Sequence, residues 1–326
     1  MTESKIYSPE KEFLISRLLF VLQSPIQKFV TAVEIIKIRK EDLTMVNYEQ
    51  MNLAEVQRLA KQGNGDAMFE MAWRPEAKPS GIPSNDPVYN CAWQDFWWEK
   101  AANANHSEAR DRYARSLLND RPFDSEWRQK ALGYFEAQVK DFDNGKLKGD
   151  LEINGIIAKL WLGIMLCQGL GIRRDTATGA KLLREADSLT NGFEKYGYQA
   201  LSNLAETYGQ GWVQENGEPL VDDLRQAISY QRKAIDRFDP QKNDPNNRGF
   251  LGLAKEYLRK LEEWKTTKES LKDSTSALGI GDLSGGGDVR KRQEKMMEIS
   301  PASIERTKAD KNALAHVRQC MTQQGW

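Results

Sequence analysis

The stretch that decides the fold is AKLWLGIMLCQGLGIRRDTATGAKLLREA, residues 158–186. Ala158, Leu162, Gly163 and Leu166 fall at offsets 0, 4, 5 and 8, and at about 100° per residue they gather within roughly 140° of one helix face. Small residues at the first and third positions let a second helix approach closely, while the bulky ones fill the space beside them. Gly169 and Gly171 then offer the backbone freedom that ends a helix, and Asp175 offers the side-chain oxygen that starts the next. The second helix carries a small residue and a large apolar one three later, Ala180 and Leu183. Two such helices cannot cover both greasy faces by themselves.

The pattern recurs outward in both directions. Upstream it reads Ala67-Met71-Ala72 and Ala109-Tyr113-Ala114-Leu117; downstream it reads Ala200-Leu204-Ala205-Tyr208 and Gly249-Leu253-Ala254-Tyr257. Successive copies start 42, 49, 42 and 49 residues apart. Between them lies a second, weaker element, as Ala131/Tyr134, Ala180/Leu183 and Ala227/Tyr230, with Trp97 and Ala101 holding that register in the first unit. Gly209 and Gly211 are expected to end the fourth first-helix, and Asp222 to open its partner. Strand signals are almost absent. Repeating helix pairs with unburied stripes must stack, which predicts an α-solenoid.

These residues resemble the Sel-one-like repeat, a relative of the tetratricopeptide repeat. The likeness rests on Ala158…Leu162-Gly163…Leu166, Gly169-Leu170-Gly171-Ile172…Asp175 and Ala180…Leu183…Glu185-Ala186. Trp97-Trp98-Glu99-Lys100-Ala101-Ala102-Asn103-Ala104-Asn105-His106 matches that family's second helix and the turn to the next unit. The resemblance covers roughly residues 53–264. It implies an all-α, right-handed superhelical solenoid of about four to five helix pairs, and a non-enzymatic adaptor or scaffold that holds protein partners on a curved surface. Some secreted members pair a cysteine within each repeat; Cys91, Cys167 and Cys320 do not follow that pattern.

Flanking segments complete the expected organisation. Residues 1–48 read as an amphipathic helical hairpin, with stripes Ile15, Leu18, Leu19, Leu22 and Ile26, Phe29, Val30, Val33 broken at Ser24-Pro25. The solenoid spans 49–268, a Gly/Ser-rich linker 269–287, and a flexibly linked, mildly basic helical tail 288–326. The tail carries eight basic and five acidic residues, and Leu314, Val317 and Met321 give it a thin apolar stripe. Met51 opens the repeat region cleanly enough to serve as an alternative start.

Composition excludes several classes of function. Lys+Arg and Asp+Glu both number 47, so no global field favours nucleic acid or an anionic membrane. Three distant cysteines argue against a disulfide framework and for a reducing, cytoplasmic setting. No apolar run is long enough to span a bilayer. Gly63-Asn64-Gly65, Gly169-Leu170-Gly171 and Gly209-Gln210-Gly211 lack the third glycine and the Gly-Lys-Ser/Thr of phosphate loops, and read as helix ends. His316 and Cys320 form a lone i, i+4 pair, read as a solvent-facing coincidence, where structural zinc wants four ligands. His106 falls in a turn, and no nucleophile motif occurs. The expectation is therefore no catalytic residue, no metal, no cofactor and no small-molecule substrate.

In tetratricopeptide-like stacks the first helix of each pair lines the concave side. Positions turned away from the packed face predict the lining of that groove: Phe69 and Trp73, then Asp111 and Arg115, then Ile157, Leu160 and Ile164, then Ser202 and Glu206, and finally Leu251 and Lys255. A groove greasy in its third unit and charged on either side suits a peptide or amphipathic helix. Its expected occupant is a protein or peptide partner, with the chain's own N-terminal hairpin as an internal candidate. Of Trp93 and Trp98, one is expected to be an exposed anchor, because both cannot share the face of Trp97. The alternative is an accessory role at nucleic acid or a membrane surface, through the basic tail or the N-terminal stripes.

Overall fold

The computed structural model describes residues 47–119, 124–190, 194–214, 217–238, 248–278 and 301–326. The expected N-terminal hairpin, and the linker from 279 onward, lie outside the described residues.

Eleven α-helices and no strand occur among the described residues. They are α1 (Leu53–Lys61), α2 (Gly65–Met71), α3 (Pro87–Asn103), α4 (Ser107–Asn119), α5 (Ser125–Asp143) and α6 (Glu152–Gln168). Then follow α7 (Thr176–Leu189), α8 (Glu194–Gly209), α9 (Val221–Arg237), α10 (Arg248–Leu278) and α11 (Pro301–Gln323). From α1 to α10 each helix packs on the one before it and the one after it. First helices also meet across units, α4 with α6 and α6 with α8, whereas no two second helices pack to that extent. This is an α-solenoid, and its first-helix row is the more tightly spaced one.

Local sequence accounts for the helix boundaries. Side chains of Asn64, Asp86, Asp124 and Asp175 cap α2, α3, α5 and α7, accepting from the backbone N–H of Ala67, Val88, Trp127 and Thr178. Gly169 ends α6 at φ 72°, with its N–H on the Met165 carbonyl. The helix end expected at Gly209 and Gly211 is observed, with Gly211 at φ 68°; the role of Gly209 and the cap of the next helix are corrected. Gly209 ends α8 without a left-handed φ; a Cβ there would lie 2.6 Å from Tyr257 Oη, so it is small because α10 comes close. Asp222 does not open α9: Asp223 does, accepting from the Leu220 N–H at 2.8 Å.

Small-and-bulky stripes fill the interfaces as their spacing requires. Ala67, Met71, Ala109, Tyr113, Ala114, Ala158, Ala200, Leu204 and Ala205 are all at most 1% exposed. The α6–α7 contact is the closest fit: a Cβ on Gly163 would meet Leu183 Cγ at 2.9 Å, and one on Gly179 would meet Cys167 Sγ at 2.6 Å. The fifth copy departs from the pattern. Ala254 is buried, but Leu253 is 69% exposed, because among the described residues α10 has a repeat neighbour on one side alone.

Beyond the repeats, residues 269–278 continue α10 as helix where composition had suggested linker. Helix α11 packs against α3. His316 and Cys320 are therefore not solvent-facing: His316 Nδ1 lies 3.3 Å from Tyr89 Oη, and Cys320 Sγ faces Gly81.

Candidate partner-binding face

The first-helix row contributes α2, α4, α6, α8 and α10 to one face. At its middle, Leu118 of α4, Trp161 and Ile164 of α6, and Leu170 of the following turn line a half-open cleft of about 290 Å³. Its far side is amide-rich, from Gln199 and Asn203 of α8. Apolar walls with a few amides on the rim suit one bulky apolar side chain beside a peptide backbone.

Toward the N-terminal end the face becomes aromatic and cationic. Phe69 stacks on His106 at 4.5 Å and 16°, and meets Trp73 edge-on at 6.4 Å. Trp73 meets Trp98 at 5.8 Å, and the Arg112 guanidinium lies 5.2 Å over its ring. Trp73 is 44% exposed. Arg112 is also held by Glu108, four residues before it, at 2.7 Å.

Toward the other end lie Ser202 and Glu206 of α8 and Tyr257 of α10. Ser202 Oγ and Tyr257 Oη are buried with no hydrogen-bond partner among the described residues. Burial pushes the Glu206 carboxyl above the usual carboxylate range, and no cation offsets it. Burial, then the nearby Glu206 charge, push the Tyr257 phenol up as well. This end of the face holds polar groups with unmet bonding capacity.

The predicted groove residues therefore divide. Trp73 and Lys255 are exposed, and Phe69, Arg115, Ser202, Glu206 and Leu251 are half-buried. Ile164 is 8% exposed and lines the cleft. Ile157 and Leu160 are corrected: at 4% and 0% exposed they belong to the core. Thirteen of the seventeen residues of α6 are buried, because α4, α5, α7 and α8 all pack on it. Projection from the packed face considered the partner helix and left out the neighbouring first helices. Asp111 is corrected too. It is 2% exposed and accepts from Arg115 Nε at 3.0 Å; burial pushes its carboxyl up against the lowering pull of Arg115.

Neither Trp93 nor Trp98 is an exposed anchor. Trp93 is buried and donates its indole N–H to the Met71 carbonyl at 3.1 Å, and Trp98 is half-buried against Trp73. Within this aromatic cluster the exposed ring is that of Trp73. Leu118 lines the cleft as its spacing from Asp111 and Arg115 predicts, whereas sequence reasoning missed Trp161 and Asn203, which lie on the flanks of their helices.

Among the described residues no group of three or more His, Cys, Asp or Glu could hold a metal ion. No helix among them is long and apolar enough to cross a membrane.

No family model matches this chain. No curated protein matches it either. Among solved structures it is similar to c5321, a protective antigen present in uropathogenic Escherichia coli strains and displaying an SLR (Sel-one-like repeat) fold. The identity is 19% and the TM-score 0.36, over 71% of this chain and 44% of that one. This chain thus spans less than half the length of that protein. Its own helix packing makes it a helical-repeat solenoid.

Proposed function

We propose that this solenoid is a non-enzymatic adaptor that holds a protein partner, as a peptide or helix, along its first-helix face. The observation that carries the reading is the apolar, amide-rimmed cleft where three successive units meet, with exposed Trp73 further along the same face. An apolar anchor side chain of the partner enters beside Ile164, and its flanks meet Arg112 and Arg115 on one side and Glu206 on the other. Phe69, Trp73, Arg115, Ile164, Ser202, Glu206, Leu251 and Lys255 are the contact positions.

The tail-based nucleic-acid or membrane reading is weakened by α11 itself, because Lys311 and Arg318 are occupied by Asp124 and Glu99. Affinity capture on wild type, Trp73→Ala and Ile164→Asp tests the adaptor reading. A partner bound to wild type and lost from both variants, with helix content unchanged, is the expected result. Equal recovery from all three would refute it.

A further inference from the structure

The C-terminal helix makes a contact that the repeats do not require. Its extensive packing is with α3, a helix of the first unit. Ala313, Leu314, Val317 and Met321 are at most 3% exposed. Around this stripe sit complementary groups. Arg318 Nη2 donates to Glu99 Oε2 at 2.6 Å, and the Lys311 ammonium pairs with Asp124 and lies 5.2 Å over the Trp127 ring. At the chain end Trp326 meets Trp97 edge-on at 4.7 Å, with the Lys61 ammonium 4.8 Å over the Trp326 ring. Through Arg318, Lys311 and Trp326 the C-terminal segment thus touches α3, the start of α5 and α1.

Its tether is unlike those of the repeat helices. The longest connection between repeat helices, 72–86, has 15 residues, whereas 22 residues with five glycines, 279–300, separate α10 from α11. Even fully extended, a segment of that length reaches about 75 Å at most. Every α3–α11 contact can form equally well with the helix of a neighbouring molecule, since exchange alters the tether and the concentration term while leaving the interface intact.

We propose that the outer face of α3 is an exchangeable helix-binding site, filled by the chain's own C-terminal helix in the closed form and by that of a second copy in a swapped dimer. The site takes a helix with an apolar stripe, a cation on each side of it, and a terminal aromatic ring. It lies on the second-helix side and is independent of the adaptor reading above.

Glu99→Arg and Arg318→Glu, made separately in the full chain, test it. Alone, each sets like charges face to face in its closed form and in its own swapped dimer. A swapped pair of the two variants is complementary at both interfaces, native in one and reversed in the other. Native mass spectrometry of the equilibrated mixture is expected to show a heterodimer enriched about tenfold over either homodimer, with concentrated salt removing the enrichment. The double variant within one chain is expected to return to the wild-type distribution. A mixture that stays monomeric, or pairs at random, overturns the proposal.

Should a single variant lose helix content, a labelled peptide of residues 301–326 replaces the mixture. It is expected to bind the full chain carrying Leu314→Asp, whose own helix is weakened, and to bind wild type at least tenfold less. Absence of binding to both overturns the proposal.

Discussion

His106 closes the turn into α4 with three contacts at once. Its Nδ1 accepts from the Ala109 N–H at 3.1 Å, its ring stacks on Phe69, and its Nε2 lies 3.4 Å from Asp66. Accepting at Nδ1 requires the neutral ring, and burial holds its pKa below the usual histidine value despite the raising pull of Asp66 and Glu108. The unfolded chain therefore takes up a proton, near pH ~6.5, more readily than the folded one. Stability from this residue is present above that pH and is lost as pH falls through the folded value. His106→Ala is expected to cost about 1–2 kcal/mol at neutral pH, through the lost cap and stacking. Urea melts should show the gap between variant and wild type closing in acid.

Glu206 carries the opposite sign. Its carboxyl is raised by burial, so the folded state resists ionising, and stability is lost as pH rises through the folded value. Glu206→Gln is expected to raise the melting temperature near pH ~7, with a smaller effect near pH ~4. An equal shift at both pH values would contradict that origin.

At the scale of helices, the α6–α7 contact is where geometry is least forgiving. A Cβ on Gly163 would lie 2.9 Å from Leu183 Cγ and 3.0 Å from the Gly179 carbonyl, one a fully buried side chain and the other backbone. Gly163→Val is expected to destabilise the chain by about 1–3 kcal/mol or more, read as a lower denaturant midpoint with unchanged slope. This contact was legible in the sequence because offsets of 4, 5 and 8 state directly which side chains share a face. The boundary at 268 and the roles of Gly209 and Asp222 were not. A helix end read from composition cannot anticipate that α10 comes close to Gly209, or that the neighbouring aspartate makes the cap.

Across the whole unit, the same limit governs the binding face. Periodicity along one helix identifies the side that meets its partner helix, and Trp73 and Ile164 were found that way. It is blind to contacts between first helices of different units, which is why Ile157, Leu160 and Asp111 proved to be interior. It is equally blind to α11 on α3, since nothing local links Trp326 to Trp97. Contacts that cross the repeat period leave no periodic trace.

The side of α10 that no other described helix covers bears on how such a chain changes length. Leu253 and Trp264, 69% and 40% exposed, are eleven residues apart and so fall within about 20° of each other around α10. A duplicated hairpin inserted after this helix would meet apolar docking positions already in place, and the units upstream would keep every neighbour they have. Copy number is thus the dimension along which this architecture can drift at least mechanical cost.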